Sequence, residues 1–253
     1  MNLKYFLVLF IFIFVSQIPC FLILSILYPL IFFLKLKFLL KFPRTLIFST
    51  FDLLDKLFFN VKFINDGLID TKNKRYIYLA NHQAYLDPII ARKAMISSDQ
   101  YLVTIVISYA KYVPLLGMNL YMLGIPFYHY DKSGKSINKG LVQMYTEYLK
   151  ENSSAVLTMF PEGKRVFSNE FKLENIRSGG FIIAKNTNSD IVPVYHNIKD
   201  RFDDVKREYN SVAKIYCIYG TTISTENKDI DDIKKEYYES MLKLKERIEK
   251  LKN

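Results

Sequence analysis

Cysteine and histidine are scarce in this chain, and the glycine-framed signatures of common enzymes are missing. Only two cysteines occur, Cys20 in an apolar run and Cys217 in a β-rich one, with no CxxC pair. No histidine stands at ligand spacing from either, so a disulfide framework and a cysteine zinc site are not expected, and both thiols read as buried hydrophobes. His82, His129 and His196 lie too far apart for a histidine metal motif, and no metal is expected. Gly-x-Ser-x-Gly is absent, which excludes a serine hydrolase built on a nucleophile elbow. Gly134-Lys135-Ser136 resembles the end of a phosphate-binding loop, but His129 holds the upstream position where that loop needs glycine. No internal repeat and no flexible linker interrupts the chain.

Charge is absent altogether from Tyr5 to Leu34, while the remainder is rich in Lys, Glu and Asp. The run is longer than the apolar core of a secretory signal, about 7–15 residues, and no small-x-small cleavage site follows it. It also exceeds the roughly 20 residues a single span needs. Pro19, preceded by Ser16 and Gln17, predicts a kink or a re-entrant turn, so residues 1–45 are expected to form a membrane anchor, either one tilted span or a hairpin. Lys35, Lys37, Lys41 and Arg44 follow the run, and by the positive-inside rule the rest of the chain is expected to face the cytosol; the endoplasmic reticulum is the first membrane expected, with other membranes left open. Residues 46–70 read as an interfacial helix, and residues 71–253 as one globular domain. Net charge is +10, from 35 basic against 25 acidic side chains. No Lys/Arg run accompanies a nucleic-acid recognition motif, so anionic lipid or a phosphorylated substrate is the expected partner and nucleic acid is not.

Within the domain, short β-rich runs alternate with helical ones. Strands are predicted at Tyr76–Ala80, Tyr101–Ile107, Ala155–Phe160, Ile191–Tyr195 and Ala213–Tyr219, and helices at Ser136–Glu151 and Ile176–Asn186. Ile230, Ile233, Tyr237, Met241, Leu244, Ile248 and Leu251 form an apolar stripe at helical spacing, predicting a closing C-terminal helix. The fold class is α/β, a layered sheet flanked by helices with a helical anchor at the N-terminus.

Two segments carry chemistry. After the first domain strand comes Asn81-His82-Gln83-Ala84-Tyr85-Leu86-Asp87. A histidine with a nearby carboxylate is the minimal kit for general-base catalysis, because the imidazole titrates near neutrality and the carboxylate fixes its tautomer. On an ideal helix the five-residue spacing would put the two side chains about 140° apart, so pairing requires a turn. The second segment, Phe160-Pro161-Glu162-Gly163-Lys164-Arg165, also follows a strand. Its glycine lets backbone approach a ligand, and its cations suit a phosphate.

Together these segments resemble the glycerophospholipid acyltransferases of the lysophosphatidic acid acyltransferase type. The family's Asn-His-x-x-x-x-Asp block matches Asn81, His82 and Asp87, and its Phe-Pro-Glu-Gly-x-Arg block matches Phe160, Pro161, Glu162, Gly163 and Arg165. Val192-Pro193-Val194 is similar to a further block that follows a strand, and the resemblance covers about residues 75 to 220. In the block Gly-x-x-Phe-x-x-Arg, Gly124 and Phe127 match, but Tyr130 stands in place of the arginine. Lys132, Lys135 and Arg177 are then the other cations for a headgroup phosphate. The resemblance implies that His82 deprotonates the acceptor hydroxyl, that Asp87 orients His82, and that the hydroxyl attacks the acyl thioester directly. It also implies that backbone amides near Gly163 face the oxyanion and that Glu162 and Arg165 position the acceptor. No cofactor is implied; acyl-CoA or an acyl carrier protein is the co-substrate, a lysophospholipid the acceptor, and the bilayer the partner. A remodelling acyltransferase, a CoA-independent transacylase and a non-catalytic lipid-binding protein are the alternatives.

Overall fold

The computed structural model describes residues 3–66, 75–87, 101–107, 112–113, 115–128, 137–166 and 171–253. The chain begins with one continuous apolar helix, Leu3–Leu34, made of α1 (Leu3–Ile11), a π-helical stretch (Phe12–Gln17) and α2 (Ile18–Leu34). Lys35 in the left-handed conformation ends it, and α3 (Lys41–Leu54) follows after a short 3₁₀ turn. Pro19 therefore continues a helix instead of opening a re-entrant turn, and of the two forms expected within residues 1–45, one span or a hairpin, residues 3–34 adopt a single helix. Proline lacks an N–H and its ring crowds the turn before it; here that turn is the wide π-helical stretch Phe12–Gln17. The wide π turn is satisfied from outside: Asn119 Nδ2 donates to the Gln17 carbonyl at 2.9 Å and to Gln17 Oε1 at 3.0 Å.

The interfacial helix expected over 46–70 is corrected. Helical structure stops at Phe59, and β1 (Lys62–Asn65) is an edge strand of the main sheet. The sheet continues with β2 (Arg75–Ala80) and β3 (Tyr101–Thr104), the latter followed by β4 (Val106–Ile107). Next come α4 (Leu116–Met122), β5 (Phe127–Tyr128), α5 (Ile137–Glu151), β6 (Ala155–Met159), α6 (Gly179–Asn186) and β7 (Ser189–His196). A hairpin of β8 (Phe202–Asp203) and β9 (Glu208–Tyr209) leads to β10 (Tyr216–Tyr219) and α7 (Ile230–Lys252). Strand order is β1-β10-β7-β2-β6-β3, with β4 and β5 paired in a separate ribbon. The predicted strand Tyr101–Ile107 is thus two strands in two sheets. Val192-Pro193-Val194 lies inside β7 rather than after a strand.

Strands β7, β2, β6 and β3 run parallel, and β10 is antiparallel to β7. β6 and β7 are buried at every residue and β2 at all but its first, as strands covered on both faces must be. Side chains alternate between two cores. Ile77, Leu79, Leu157 and Ile191 face one that also holds residues of α5, α6 and α7, while Tyr76, Tyr78, Val156 and Val192 face one with Tyr5, Val8, Phe51 and Phe202. The N-terminal helix contributes to both: Tyr5 and Val8 to the second, Cys20, Leu24 and Ile31 to the first. The stripe expected on α7 buries Ile233, Tyr237, Met241, Leu244 and Ile248, with Asp229 capping the helix through a 2.9 Å bond from Asp232 N–H.

Candidate active site

Parallel strands deliver their following loops to one edge of the sheet, and in open α/β sheets ligands bind in the crevice at that edge. β2 ends at Ala80 and β6 at Met159, on neighbouring strands, so the two motif segments emerge side by side. The Asn81 side chain extends the ladder where β2 has run out. Its Oδ1 accepts His196 N–H at 3.0 Å, and its Nδ2 donates to the His196 carbonyl at 2.9 Å.

The chain turns over residues 84–87, and Asp87 closes that turn on itself. Its Oδ1 accepts Ala84 N–H at 2.9 Å, and its Oδ2 accepts Gln83 N–H at 2.6 Å. The same Oδ2 lies 2.7 Å from His82 Nδ1, with the Asp87 side chain wholly buried and 23 % of the His82 side chain exposed. Facing a carboxylate, Nδ1 carries the proton, which leaves Nε2 as the basic nitrogen. The required turn is thus formed by the backbone amides that the carboxylate collects.

The loop after β6 grips His82 from the other side. Phe160 stacks on the imidazole at 4.3 Å between centroids, inclined by 17°. The His82 N–H donates to Glu162 Oε2 at 2.7 Å, and the His82 carbonyl accepts Val166 N–H at 2.8 Å. Glu162 is buried, and desolvation pushes its carboxyl up to about 7, against the lowering effect of the His82 N–H. One of its oxygens is thus engaged with the backbone that carries His82. Gly163 adopts φ +67°, and its N–H donates to the Phe160 carbonyl at 2.9 Å. A Cβ at Gly163 would come within 2.7 Å of the Arg177 guanidinium, so this glycine admits Arg177 to the site; the Arg177 N–H bonds to the Pro161 carbonyl at 2.9 Å. Arg165 Nη1 pairs with Asp204 at 3.1 Å, and its guanidinium lies 3.6 Å from the centre of the Tyr85 ring.

Gly124 and Phe127 sit at the same strand edge but two strands away. Gly124, at φ +73°, follows the C-terminal end of α4, and Phe127 lies in β5 beside β4, beyond the end of β3. Pro193 lies within β7, paired with Leu79. Tyr130, His129, Lys132 and Lys135 fall outside the described residues. The structure adds His196, Tyr85 and Asp204, for which no motif gave a signal. His196 is fully buried, with Nε2 at 3.9 Å from Asp87 Oδ1, and burial lowers its pKa, keeping it neutral.

The sequence profile of the Acyltransferase family matches residues 60–197. A 1-acyl-sn-glycerol-3-phosphate acyltransferase of Saccharomyces cerevisiae is 37 % identical over 124 residues, 48 % of this chain. That match spans only 38 % of the yeast protein's length. Among solved structures, the 1-acyl-sn-glycerophosphate acyltransferase of Thermotoga maritima superposes with a TM-score of 0.62 over 92 % of this chain and 96 % of that one. At 12 % identity the two share a fold.

Proposed function

The chain belongs to the acyltransferase family, and from that premise we propose that it transfers a fatty acyl group from an acyl thioester to the free hydroxyl of a lysophospholipid. The first acceptor is 1-acylglycerol 3-phosphate, the product phosphatidic acid, and the donor acyl-CoA or an acyl carrier protein. The observation that carries this reading is the His82–Asp87 pair at 2.7 Å, braced by Phe160 and Glu162 from the second motif.

His82 Nε2 takes the acceptor's proton as the hydroxyl oxygen attacks the thioester carbonyl. The C–O bond forms, and the tetrahedral oxyanion then expels the thiolate, which recovers a proton from the imidazolium. Asp87 stabilises that imidazolium and fixes its tautomer. The Gly163 N–H is committed to the Phe160 carbonyl, so an oxyanion donor from this turn is a neighbouring amide. Arg165 and Arg177 bind the phosphate of the acceptor. The reaction needs no metal or redox cofactor. The helix Leu3–Leu34 holds the site at a bilayer, that of the endoplasmic reticulum, with the domain on the cytosolic side.

Membranes carrying the full chain, incubated with a panel of lysophospholipids and either labelled acyl-CoA or labelled acyl carrier protein, should form phosphatidic acid fastest. Product from another acceptor alone would make the chain a remodelling acyltransferase. No acyl transfer to any member of the panel from either thioester would overturn the reading.

A further inference from the structure

The turn between β8 and β9 brings in a carboxylate that neither motif contains. Asp204 has only 1 % of its side chain exposed. Its Oδ2 accepts the Tyr85 N–H at 2.6 Å and Arg165 Nη1 at 3.1 Å. Arg165 Nη2 donates to the Tyr85 hydroxyl at 2.8 Å, and the guanidinium lies over that ring, 3.6 Å from its centre. On the opposite oxygen, the Tyr5 hydroxyl reaches Asp204 Oδ1 at 3.5 Å. Three separate parts of the chain therefore converge on one buried carboxylate: the turn that bears His82, the loop that bears Arg165, and the start of the N-terminal helix.

A carboxylate removed from water is tolerated only where charge and hydrogen bonds offset its desolvation. Burial raises the Asp204 pKa, while the Tyr85 N–H and Arg165 lower it. The closed contacts have a geometric consequence. Arginine has several rotatable bonds, and an unrestrained guanidinium would sample many positions before a phosphate fixed it. Here one end is bonded to Asp204, the other to the Tyr85 hydroxyl, and its face lies on the ring. The anchor residue of this arrangement, Tyr85, belongs to the turn of residues 82–87.

We infer that Asp204 is a positioning residue for the acceptor's phosphate: it sets the Arg165 guanidinium over Tyr85, and through the Tyr85 amide ties it to the turn that carries His82. The inference rests on the acyltransferase reading, in which phosphate and reacting hydroxyl belong to one small molecule, so the spacing of arginine and base decides how well it is held. The planar fork of a guanidinium is suited to bidentate phosphate binding, so its orientation matters as well as its charge.

The test compares Asp204→Asn with Asp204→Ala in the full chain. Asparagine keeps an oxygen for the Tyr85 N–H and removes the charge that holds Arg165. It should raise the KM for 1-acylglycerol 3-phosphate about tenfold, the effect expected of a charge-assisted bond, and leave the acyl-CoA KM within about twofold. Alanine also releases the turn, so its kcat should fall as well. Hydrogen exchange at the peptide containing Tyr85 should quicken in Asp204→Ala. Arg165→Lys combined with Asp204→Asn should be no worse than the more impaired single variant, because both act on one contact. Folded Asp204→Asn with an unchanged acceptor KM, or fully additive effects in the double variant, would overturn the inference. A wild-type chain that acylates no lysophospholipid would instead overturn the activity, and exchange at Tyr85 would then decide the role of Asp204 alone: quickened exchange retains its hold on the turn, unchanged exchange removes it.

Discussion

The imidazole of His82 has three fixed surroundings: Asp87 at Nδ1, the Phe160 ring against its face, and Glu162 on its backbone amide. Replacing it with alanine removes the proposed base and should lower kcat by about 10²–10⁴-fold. Near-normal turnover in a His82→Ala protein with wild-type melting would dismiss it as the base. Glu162 allows a test by pH. Its carboxyl titrates at about 7 in the fold against an ordinary 4.5, because burial disfavours the charge. The folded state therefore holds this proton where the unfolded chain has already released it. Its stabilising contribution is complete below the unfolded value and is lost as pH rises through about 7. Glu162→Gln keeps an oxygen for the His82 N–H without the charge. Its melting temperature should decline less than wild type between about pH 5 and pH 8, and parallel curves would count against a desolvated carboxyl.

Elements meet at the ends of β2, β6 and β7, and single side chains stand in for backbone there. Asn81 satisfies both main-chain groups of His196 after β2 has ended. Asn81→Ala would leave two buried groups without partners, at about 1–3 kcal/mol each. Urea unfolding should register that loss, and kcat should drop too because His82 is the next residue. A variant of wild-type stability would mean that water replaces the side chain. In the loop after β6, Gly163 combines φ +67° with Arg177 packed where a Cβ would stand. Gly163→Ala should cost roughly 1–2 kcal/mol from the left-handed backbone and should raise the acceptor KM by displacing Arg177. An unchanged acceptor KM would separate Arg177 from headgroup binding.

For the whole molecule, the apolar N-terminus is a structural part of the domain. Val8, Cys20 and Leu24 are fully buried in the two cores, while Leu3, Ile26, Phe32 and Phe33 are exposed on the same helix. A helix of 32 residues is ~48 Å long, more than a hydrocarbon core of about 30 Å requires. Deleting residues 1–34 should therefore yield an aggregating protein rather than a soluble enzyme; a monomeric truncation with wild-type melting would show that the helix is a detachable tether. In sealed microsomes with the cytosolic face outward, protease should digest the domain from about residue 60 onward, as the cluster Lys35 to Arg44 implies. Full protection, lost when detergent is added, would reverse the orientation.

Much of the molecule was legible in local sequence, because its signals depend on near neighbours. Apolar runs marked the parallel strands, helical spacing marked α7, and each of the two motifs was read as following a strand. Even the turn required by five-residue spacing followed from side-chain directions alone. In two places the chain's surroundings override local rules. Pro19 continues a helix whose π turn is completed by Asn119, and residues 62–65 pair with β10 although the segment before them is helical. The remaining site residues had no local signal at all. Asp204 lies 119 positions from the Tyr85 amide that it accepts, and His196 lies 115 from Asn81. Such pairs exist only because burial of both sheet faces sets β7 beside β2 and brings the hairpin after β7 onto the turn after β2. Residue type and spacing determined which chemistry the chain carries; the order of strands in the sheet decided which distant side chains hold it in place.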